Sequence, residues 1–591
     1  MAQRGRQTVA SKPKDTKKAL RRILAYISEY KWALLIALLL SFAGNIAGLI
    51  GPSLAGSAIN EAAAGAGKVN MDAVMYYAKR MLLCYLFSSA VTISVNILMM
   101  SVSKKIARNM RRDIFDKLMK LPVNYFDTNA AGDIISRVSY DVDVVCTSIS
   151  TDVVSIMTSI VTVLGALFMM IKISPLMSVI VIVTLPVSVY YTVWMRKKTQ
   201  PRYRRRSAAY GAMNGFVEEM FSGQKTIQAY AYEDTAAAGF DTVNTEAAEA
   251  NRDAEFYGST MGPTMGMINN SSLGLIAALG SVFYIRGLVS LGQISSFVLY
   301  SRKFSGPVNE IANVMNELFS ALSASERIFT LIDEPEEPAD SENAEELNNV
   351  KGDVSLKNVS FGYTKDKTVL HNLSLEAEQG KLIAIVGPTG AGKTTIINLL
   401  MRFYDIDSGE ILVDGKNIMN LTRSSLRGAY AMVLQDTWVF NGTIFENIAY
   451  GKENATMDEV VRAAKAARIH PFIMRLPQGY QTVISEDGGN ISKGQKQLLT
   501  IARAMLYDAK MLILDEATSN VDTGTEREIQ SAMRRLMSDK TCFVIAHRLS
   551  TIQHADRILV VNHGDVVEQG THESLMAEKG FYYSLYSAQF E

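Results

Sequence analysis

The sequence has little cysteine and almost no net charge, and both shortages limit what the protein can be. Its three cysteines, Cys84, Cys146 and Cys542, are far apart and form no CxxC pair. We therefore expect no disulfide framework and a reducing or cysteine-indifferent setting. The formal net charge of +1 argues against a protein that binds nucleic acid through bulk positive charge. No small-residue cleavage site closes a short apolar core, so a signal peptide is not expected.

Charge is also absent from several long stretches in the first half of the chain. These uncharged stretches are residues 33–51, 81–103, 153–171, 173–195 and 256–285. Because a helix needs about 20 apolar residues to cross a bilayer, each stretch can span a membrane. A sixth stretch starts near Leu288 and is interrupted by Arg302 and Lys303. We therefore predict six membrane-spanning helices, the sixth being the weakest by hydropathy.

Basic residues cluster on one side of these predicted spans. The clusters are in residues 1–22, 104–112 and 196–206, whereas the opposite loops hold only isolated basic residues. Since cytoplasmic loops carry the excess of Lys and Arg, the basic side should be cytoplasmic. We expect a multi-pass membrane protein with its N-terminus and its soluble second half in the cytoplasm.

Two connecting segments are too polar to lie in the membrane. About fifty charged, amphipathic residues join the second span to the third, and a similar segment joins the fourth to the fifth, which is long by loop standards. We predict helical continuations of the spans, with tips near residues 125–133 and 222–232. The tips either space the spans or contact the soluble half, and we favour contact.

The sixth predicted span carries two adjacent cations. Charges at membrane depth are costly and usually face a protein interior or a watery cavity. For Arg302 and Lys303 we favour cavity lining, and the alternative is that both side chains extend to the membrane interface.

The second half contains a phosphate-binding loop that fits G-x-x-x-x-G-K-[ST]. It follows the apolar run 382–386 and precedes the apolar run 395–401, which is the strand–loop–helix context that this motif requires. Glycines let successive N–H groups point at phosphate oxygens. Lys393 should reach the outer phosphates, and the Thr394 hydroxyl should help to hold Mg²⁺. The loop consists of Gly387, Pro388, Thr389, Gly390, Ala391, Gly392, Lys393 and Thr394.

Further candidate residues end other apolar runs of the same half. Asp515 and Glu516 close the run 511–514, and we predict that Asp515 binds Mg²⁺ and that Glu516 polarises the attacking water. His547 follows the run 543–546, where it is either structural or a contact of the γ-phosphate. Gln435 ends the run 432–434 and could contact Mg²⁺ or water, although its signal alone is weak. Alternating strands and helices imply a mainly parallel sheet with the ligand at the strands' carboxyl ends.

A second anion-binding turn precedes the predicted helix 496–507. Ser492, Gly494 and Gln495 place small and polar residues at a helix N-terminus, where anions bind. The phosphate that Lys393 should hold is already bound by the loop 387–394, so the second turn cannot easily serve the same nucleotide. The economical solution is that this turn caps the nucleotide of a second copy of the domain.

Together these residues resemble the ATP-binding cassette (ABC) family, over nearly the whole chain. The loop 387–394 resembles Walker A, Gln435 the Q-loop, 511–516 Walker B and His547 the H-loop. The resemblance implies that Tyr363 stacks on adenine and that Asp522 belongs to the D-loop 519–522. It also implies ATP and Mg²⁺ as cofactors, with ATP held between Walker A of one chain and the signature of another.

Composition and this resemblance divide the chain into four parts. We predict a cytoplasmic N-terminus with an interfacial elbow helix (1–30) and a six-helix transmembrane domain of the exporter type with coupling helices (31–332). A solvated acidic linker (333–350) and an α/β P-loop ATPase domain (351–591) follow. The fold class is therefore an α-helical transmembrane domain followed by an α/β nucleotide-binding domain.

The segment 491–495 resembles the signature of the family, but it departs from the usual pattern Leu-Ser-Gly-Gly-Gln. Ile491 replaces the leucine and Lys493 replaces the first glycine, whereas Walker A, Glu516 and His547 are intact. The chain resembles the intact-glutamate member of bacterial heterodimeric multidrug exporters. A heterodimer is favoured over a homodimer on this ground.

The predicted function is ATP-driven export of amphipathic small molecules, such as drugs or lipids, by one half of a dimeric transporter. Its expected partners are a second half-transporter chain, membrane lipid and an amphipathic substrate. A dedicated lipid or peptide exporter and a membrane-bound regulatory or sensor ATPase are the alternatives.

Overall fold

The computed structural model describes residues 16–63, 65, 68–364, 366–435, 437–484, 491–515, 523–546 and 552–590. Two compact units account for the chain. The first comprises Met1–Leu121 and Asn129–Glu336, and the second comprises Pro122–Thr128 and Glu337–Glu591. The short helix at Pro122–Thr128 therefore groups with the second unit although it lies within the first half of the sequence.

Helices make up the described part of the first unit, apart from short connections. In chain order the helices up to Asp333 are α1 Thr16–Ser28, α2 Lys31–Ala62, α3 Met71–Leu118, α4 Val123–Thr128, α5 Ala131–Ser136, α6 Val142–Thr147, α7 Val153–Ile173, α8 Pro175–Ser222, α9 Gln224–Ala229, α10 Glu233–Ile285 and α11 Leu291–Asp333. Two π-helical segments, Arg137–Asp141 and Ser148–Asp152, flank α6.

Local sequence signals explain where the long helices begin. The Ser174 side chain accepts a hydrogen bond from the N–H of Met177, and Pro175 occupies the first turn of α8. Proline is suited to that position because its missing N–H would have no helical partner there. At the start of α11, Ser290 and Gln293 form a reciprocal capping box.

Within the part of the chain that the structure describes, five helical segments are long and apolar enough to cross a membrane. They are α2, α3, residues 131–173, α8 and α10. The helix α11 coincides with the predicted sixth span but is not among these five, so the count of six remains a prediction. Serines, glycines and the pair Arg302–Lys303 reduce the hydropathy of its first half.

Three of these helices extend well beyond a bilayer. The helices α3 and α8 have 48 residues each and α10 has 53. At 1.5 Å per residue they measure about 70 to 80 Å, against a hydrocarbon core of about 30 Å. The two polar connections are thus helical continuations of the spans. At their ends lie the short helices α4 and α9, within the two predicted tips.

Buried methionines and aromatic residues form a core where α7, α8 and α11 meet. Met170, Met177, Phe297 and Tyr300 are fully buried there. Methionine fills irregular gaps well, so this part of the methionine-rich sequence serves packing.

The described residues of the second unit form three sheets. Its strands are β1 Val354–Phe361, β2 Leu370–Ala377, β3 Leu382–Val386, β4 Ser408–Val413, β5 Lys416–Asn417, β6 Tyr430–Val433, β7 Gly442–Thr443, β8 Val483–Ile484, β9 Met511–Asp515, β10 Thr541–Ile545, β11 Arg557–Asn562 and β12 Asp565–Gly570. The largest sheet has the order β12-β11-β3-β10-β9-β6. Its strands are parallel except β12, which agrees with the predicted mainly parallel sheet.

The two smaller sheets are antiparallel, and helices complete the unit. The strand orders are β2-β1-β4-β5 and β7-β8. The helices are α12 Lys393–Leu400, α13 Arg423–Gly428, α14 Ile444–Ala449, α15 Met457–Ala466, α16 His470–Arg475, α17 Lys493–Tyr507, α18 Thr523–Met537, α19 His572–Glu578 and α20 Phe581–Phe590, with 3-10 turns at Ile418–Asn420 and Gly479–Gln481. The helices α15 and α16 are separated because Arg468 adopts a left-handed conformation with φ of 61°.

Two acidic residues of the predicted linker pair with arginines of the second unit. The Arg427 guanidinium pairs with the Glu337 carboxylate at 2.5 Å, and Arg423 pairs with Asp340 at 3.1 Å. Arg423 is buried, so it needs a negatively charged partner. These two acidic residues therefore neutralise arginines while their side chains stay partly exposed.

Candidate functional site

Four parallel strands of the large sheet end at the same edge. Ile545 pairs with Ile385 on one side and with Asp515 on the other, and Leu514 pairs with Val433. The phosphate loop directly follows β3, Asp515 ends β9, and Gln435 lies two residues beyond β6. The structure thus brings three of the predicted site elements to one edge. Three further predicted residues, Glu516, Asp522 and His547, lie outside the described residues.

Two glycines of the loop, Gly387 and Gly392, cannot carry side chains without displacing neighbours. A Cβ on Gly387 would lie 2.1 Å from the backbone oxygen of Val561. Gly392 has φ of 104°, and its Cβ would lie 2.8 Å from Leu370 Cδ2. Left-handed backbone of this kind favours glycine. Pro388, Thr389, Gly390 and Thr394 are exposed, whereas Ala391 is buried against the sheet.

Lys393 begins α12 and folds over the loop. Its Nζ donates to the carbonyl oxygens of Gly387 at 2.7 Å and Pro388 at 3.0 Å. Burial lowers the pKa of Lys393, and the nearby Asp515 carboxylate acts in the opposite direction. The ammonium is therefore positioned between the phosphate loop and the acidic end of β9, where phosphate oxygens would supply stronger partners.

Tyr363 packs beside the helix that follows the loop. Its hydroxyl lies 3.1 Å from Thr395 Oγ1 and 3.4 Å from Asn398 Nδ2, both on α12. The ring meets Phe361 and Tyr404 edge-on, with centroids 5.1 Å and 5.0 Å away. These contacts fix the ring while 41% of the residue stays exposed, which leaves a face for stacking.

Tyr404 makes a long-range hydrogen bond whose partners the sequence did not identify. Its hydroxyl donates to the Asp127 carboxylate of α4, and the two residues are 277 positions apart. Burial and the Asp127 carboxylate raise the pKa of Tyr404. Through Tyr404, the proposed adenine contact Tyr363 is one ring away from the tip of the first connecting segment. No local pattern signals a contact over such a separation.

Ser492 and Gln495 form the start of α17. Gln495 N donates to Ser492 Oγ at 3.3 Å, and Ser492 N donates to Gln495 Oε1 at 2.8 Å. This capping box leaves further N–H groups of the first turn for an anion. Gly494 is buried in that turn. The helix α17 packs on α14, α15 and α18, whereas the phosphate loop opens α12, so the two anion-binding turns belong to different parts of the unit.

Arg503 of α17 is a second residue that the sequence analysis missed. Its guanidinium donates to the backbone oxygens of Asn447 at 2.8 Å and Trp438 at 3.2 Å. It also lies 5.3 Å from the centroid of the Phe440 ring. Burial lowers the pKa of Arg503. The contacts hold the segment that follows the exposed Gln435.

Comparison with known proteins agrees with this geometry. Residues 34–308 match the family described as ABC transporter transmembrane region, and residues 370–519 match the family described as ABC transporter. The Bacillus subtilis protein YfiC, described as an uncharacterized ABC transporter ATP-binding protein, is 41% identical over 98% of this chain and 96% of its own length. The chain belongs to the ABC transporter family.

Other similar ABC proteins have names that refer to different compounds. A fatty acid ABC transporter ATP-binding/permease protein of Mycobacterium tuberculosis is 44% identical over 83% of this chain and 77% of its own. A putative multidrug export protein of Bacillus subtilis, YgaD, is 38% identical over 82% of this chain and 84% of its own. A lipid A-core flippase of Methylobacillus flagellatus is 35% identical over 96% of both chains.

A solved structure shows the same exporter architecture. A bacterial Atm1-family ABC exporter with ATP bound superposes with a TM-score of 0.74 and 29% identity, over 97% of this chain and all of the other. This ABC transporter is therefore a multi-pass membrane protein of the exporter type. Its ATPase domain binds ATP, and the family's activity is ATP hydrolysis coupled to transport.

Proposed function

We propose that the chain exports amphipathic small molecules by alternating access as one half of a dimeric transporter. The observation that carries the proposal is the convergence of the phosphate loop, Asp515 and Gln435 at one sheet edge, in a chain whose first unit contains long apolar helices. The names of similar proteins support the amphipathic class, because fatty acids and lipid A-core both join a polar head to apolar chains. The multidrug name of another relative fits the same class.

Each residue of the site has a proposed role. The N–H groups of the loop 387–394 and the Lys393 ammonium hold the phosphates, and Tyr363 stacks on the adenine. Glu516 polarises the attacking water, and His547 contacts the γ-phosphate. The sequence order of acidic and polar residues after apolar runs supports the roles of Glu516 and His547, and the resemblance to the family supports that of Tyr363.

The described residues also fit Mg²⁺. Thr394 offers a hydroxyl, Gln435 an amide oxygen and Asp515 a carboxylate. Hard oxygen ligands of these types, with phosphate oxygens, are those that Mg²⁺ prefers. When bound, the ion would neutralise charge on the phosphates, while the three side chains hold and orient it.

The signature turn completes the site of a second chain. The start of α17 contains Ser492, Gly494 and Gln495 and is separate from the phosphate loop of this chain. Asp522 belongs to the D-loop in the family pattern. We propose that they cap the nucleotide held by the partner. Lys493 alters the signature, whereas the other nucleotide-site motifs are intact. This combination favours a heterodimer, in which Lys393 and Glu516 of this chain serve the active site.

The substitution Glu516→Gln tests the catalytic assignment. General-base catalysis contributes about 100-fold or more, so ATP hydrolysis should fall by at least that factor while ATP binding is retained. Radiolabelled phosphate release and fluorescent ATP binding measure the two properties. Glu528→Gln, an exposed change on α18, is the matched control. Retention of most turnover in Glu516→Gln would remove Glu516 as the base.

Transport itself needs a separate measurement. Reconstituted in liposomes, the dimer should move a fluorescent amphiphile only when ATP is present on the side of the nucleotide-binding domains. Hydrolysis without any movement of amphiphiles across the bilayer would favour the sensor ATPase instead.

A further inference from the structure

Two adjacent cations dominate the charge of the membrane-spanning sequence. The five uncharged spans contain no Asp, Glu, Lys or Arg, and residues 291–310 of α11 contain only Arg302, Lys303 and Glu310. Glu310 follows Lys303 by seven residues, which is about 10 Å along a helix axis. The pair thus places two positive charges in a region where ionic groups are costly and usually functional.

Lys303 occupies a defined position between three helices. Its Nζ donates to the carbonyl oxygen of Gly48 in α2 at 2.7 Å and lies 5.8 Å from the ring centroid of Tyr85 in α3. Pro52 lies four residues after Gly48 and has no N–H, so it leaves this carbonyl without its helical partner. One of the three ammonium donors of Lys303 replaces the missing N–H.

Neighbouring side chains of α11 bind the same stretch of α2 backbone. Tyr300 Oη donates to the carbonyl oxygen of Leu49 at 2.6 Å, and Ser296 Oγ donates to that of Pro52 at 2.8 Å. Ser296, Tyr300 and Lys303 therefore lie on one face of α11 and follow the backbone of α2 past its proline. The Lys303 ammonium is held where α11 packs on α2. The Gly48 carbonyl accepts from one of its three N–H donors, which leaves two donors for other partners.

The contacts described for the two cations include no carboxylate. Among the described residues, the recorded partners of Lys303 are a carbonyl oxygen and an aromatic ring, and Arg302 is exposed. Consecutive helix residues point about 100° apart. Lys303 is therefore the residue that a ligand between α2, α3 and α11 would contact, and Arg302 adds positive charge beside it.

We propose that Lys303 binds the anionic head group, a carboxylate or a phosphate, of the amphipathic substrate. This inference rests on the proposed export function and names the substrate class. An ammonium with two donors that have no partner among the described side chains suits an oxyanion, and a charge-assisted hydrogen bond is about twice as strong as a neutral one. The apolar chain of the substrate lies along the uncharged helix surfaces around the site.

Binding of tritiated oleate to the purified transporter in phosphatidylcholine nanodiscs tests the head-group chemistry. Unlabelled oleate and oleoyl lysophosphatidate should displace the label at least tenfold better than oleyl alcohol or oleylamine, which have the same tail. A preference between the first two distinguishes a carboxylate from a phosphate source. Equal displacement by oleyl alcohol would overturn the proposal.

Variants separate substrate binding from the structural role of Lys303. Lys303→Gln keeps a donor near Gly48 but loses the charge, and it should weaken oleate binding at least tenfold. Lys303→Arg should retain binding. Lys172→Gln, which removes a charge at the exposed end of α7, should leave it unchanged.

The double variant Pro52→Ala/Lys303→Gln decides between the two roles. Alanine restores the N–H for the Gly48 carbonyl, so a purely structural lysine would become dispensable. We expect oleate binding to stay weak in the double variant, and its full recovery would overturn the proposal. Because binding is measured without ATP, its failure is distinct from a loss of ATP hydrolysis, which would contradict the proposed function itself.

Discussion

At the scale of single residues, a chain of aromatic rings connects the proposed adenine contact to a membrane-domain connection. Tyr363 touches Tyr404, and Tyr404 donates to Asp127 in α4. The helix α4 is continuous in sequence with α3 through a few residues, so a shift of Asp127 acts on the end of a membrane-spanning helix. The Tyr404 hydroxyl is therefore a positioning group.

Tyr404→Phe should weaken the coupling between ATP hydrolysis and transport. The change keeps the ring beside Tyr363 but removes a hydrogen bond to a carboxylate, which contributes about 1.5 to 3 kcal/mol. We expect basal ATP hydrolysis within about twofold of the wild type and a clear loss of stimulation by amphiphiles. Tyr507→Phe, which removes a 3.0 Å hydrogen bond to Gly428, is the control.

A double-mutant cycle with Asp127→Asn checks the pairing. If the two groups act together, the double variant should be no worse than the poorer single one. Additive losses would mean that Tyr404 and Asp127 act independently.

At the scale of elements, the close approach of α2 and α11 depends on small residues. A Cβ on Gly292 would lie 1.9 Å from the backbone oxygen of Gly56. Gly292 N also donates to Asn60 Oδ1 at 2.7 Å. Glycines let helix backbones approach in this way, and the same pair of helices carries the Lys303 contact.

Gly292→Ala should separate these helices and destabilise the transmembrane unit. Overpacking of this kind typically costs about 1 to 3 kcal/mol, so the apparent Tm in detergent should fall by several degrees. Gly306→Ala in the same helix meets open space and is the matched control. An unchanged Tm for Gly292→Ala would show that the helices can move apart without cost.

The starts of α12 and α17 have a related role. Each helix begins with a turn suited to an anion, one opened by Gly392 and the other by Ser492. They pack against different neighbours. In the proposed dimer, each turn is one half of a nucleotide site that the other chain completes.

At the scale of the whole molecule, the proposed heterodimer makes a measurable prediction. The purified chain alone should hydrolyse ATP slowly, and co-purification with a similar chain should raise the rate at least tenfold. The reason is that the Ile491 and Lys493 substitutions fall in the signature that would face the partner's nucleotide. Comparable turnover by the isolated chain as a homodimer would contradict the proposal, and Lys493→Gly should then have little effect.

The sequence by itself determined the features that depend on neighbouring residues. Uncharged stretches of about 20 residues determine spans because bilayer insertion responds to local hydropathy. The Gly387–Thr394 pattern predicted the phosphate loop because its glycine spacing and flanking apolar runs are local.

Only the tertiary structure decided which distant residues meet. Tyr404 and Asp127 are 277 positions apart, and Lys303 and Gly48 are 255 apart. The sequence marked Lys303 as an unusual charge, but its partner depended on the packing of α2 against α11 and on the carbonyl that Pro52 leaves unsatisfied. Glu337 and Asp340 were likewise predicted to be solvated, because composition does not show the arginines they meet. Such contacts follow from how helices and strands pack, which local periodicity does not specify.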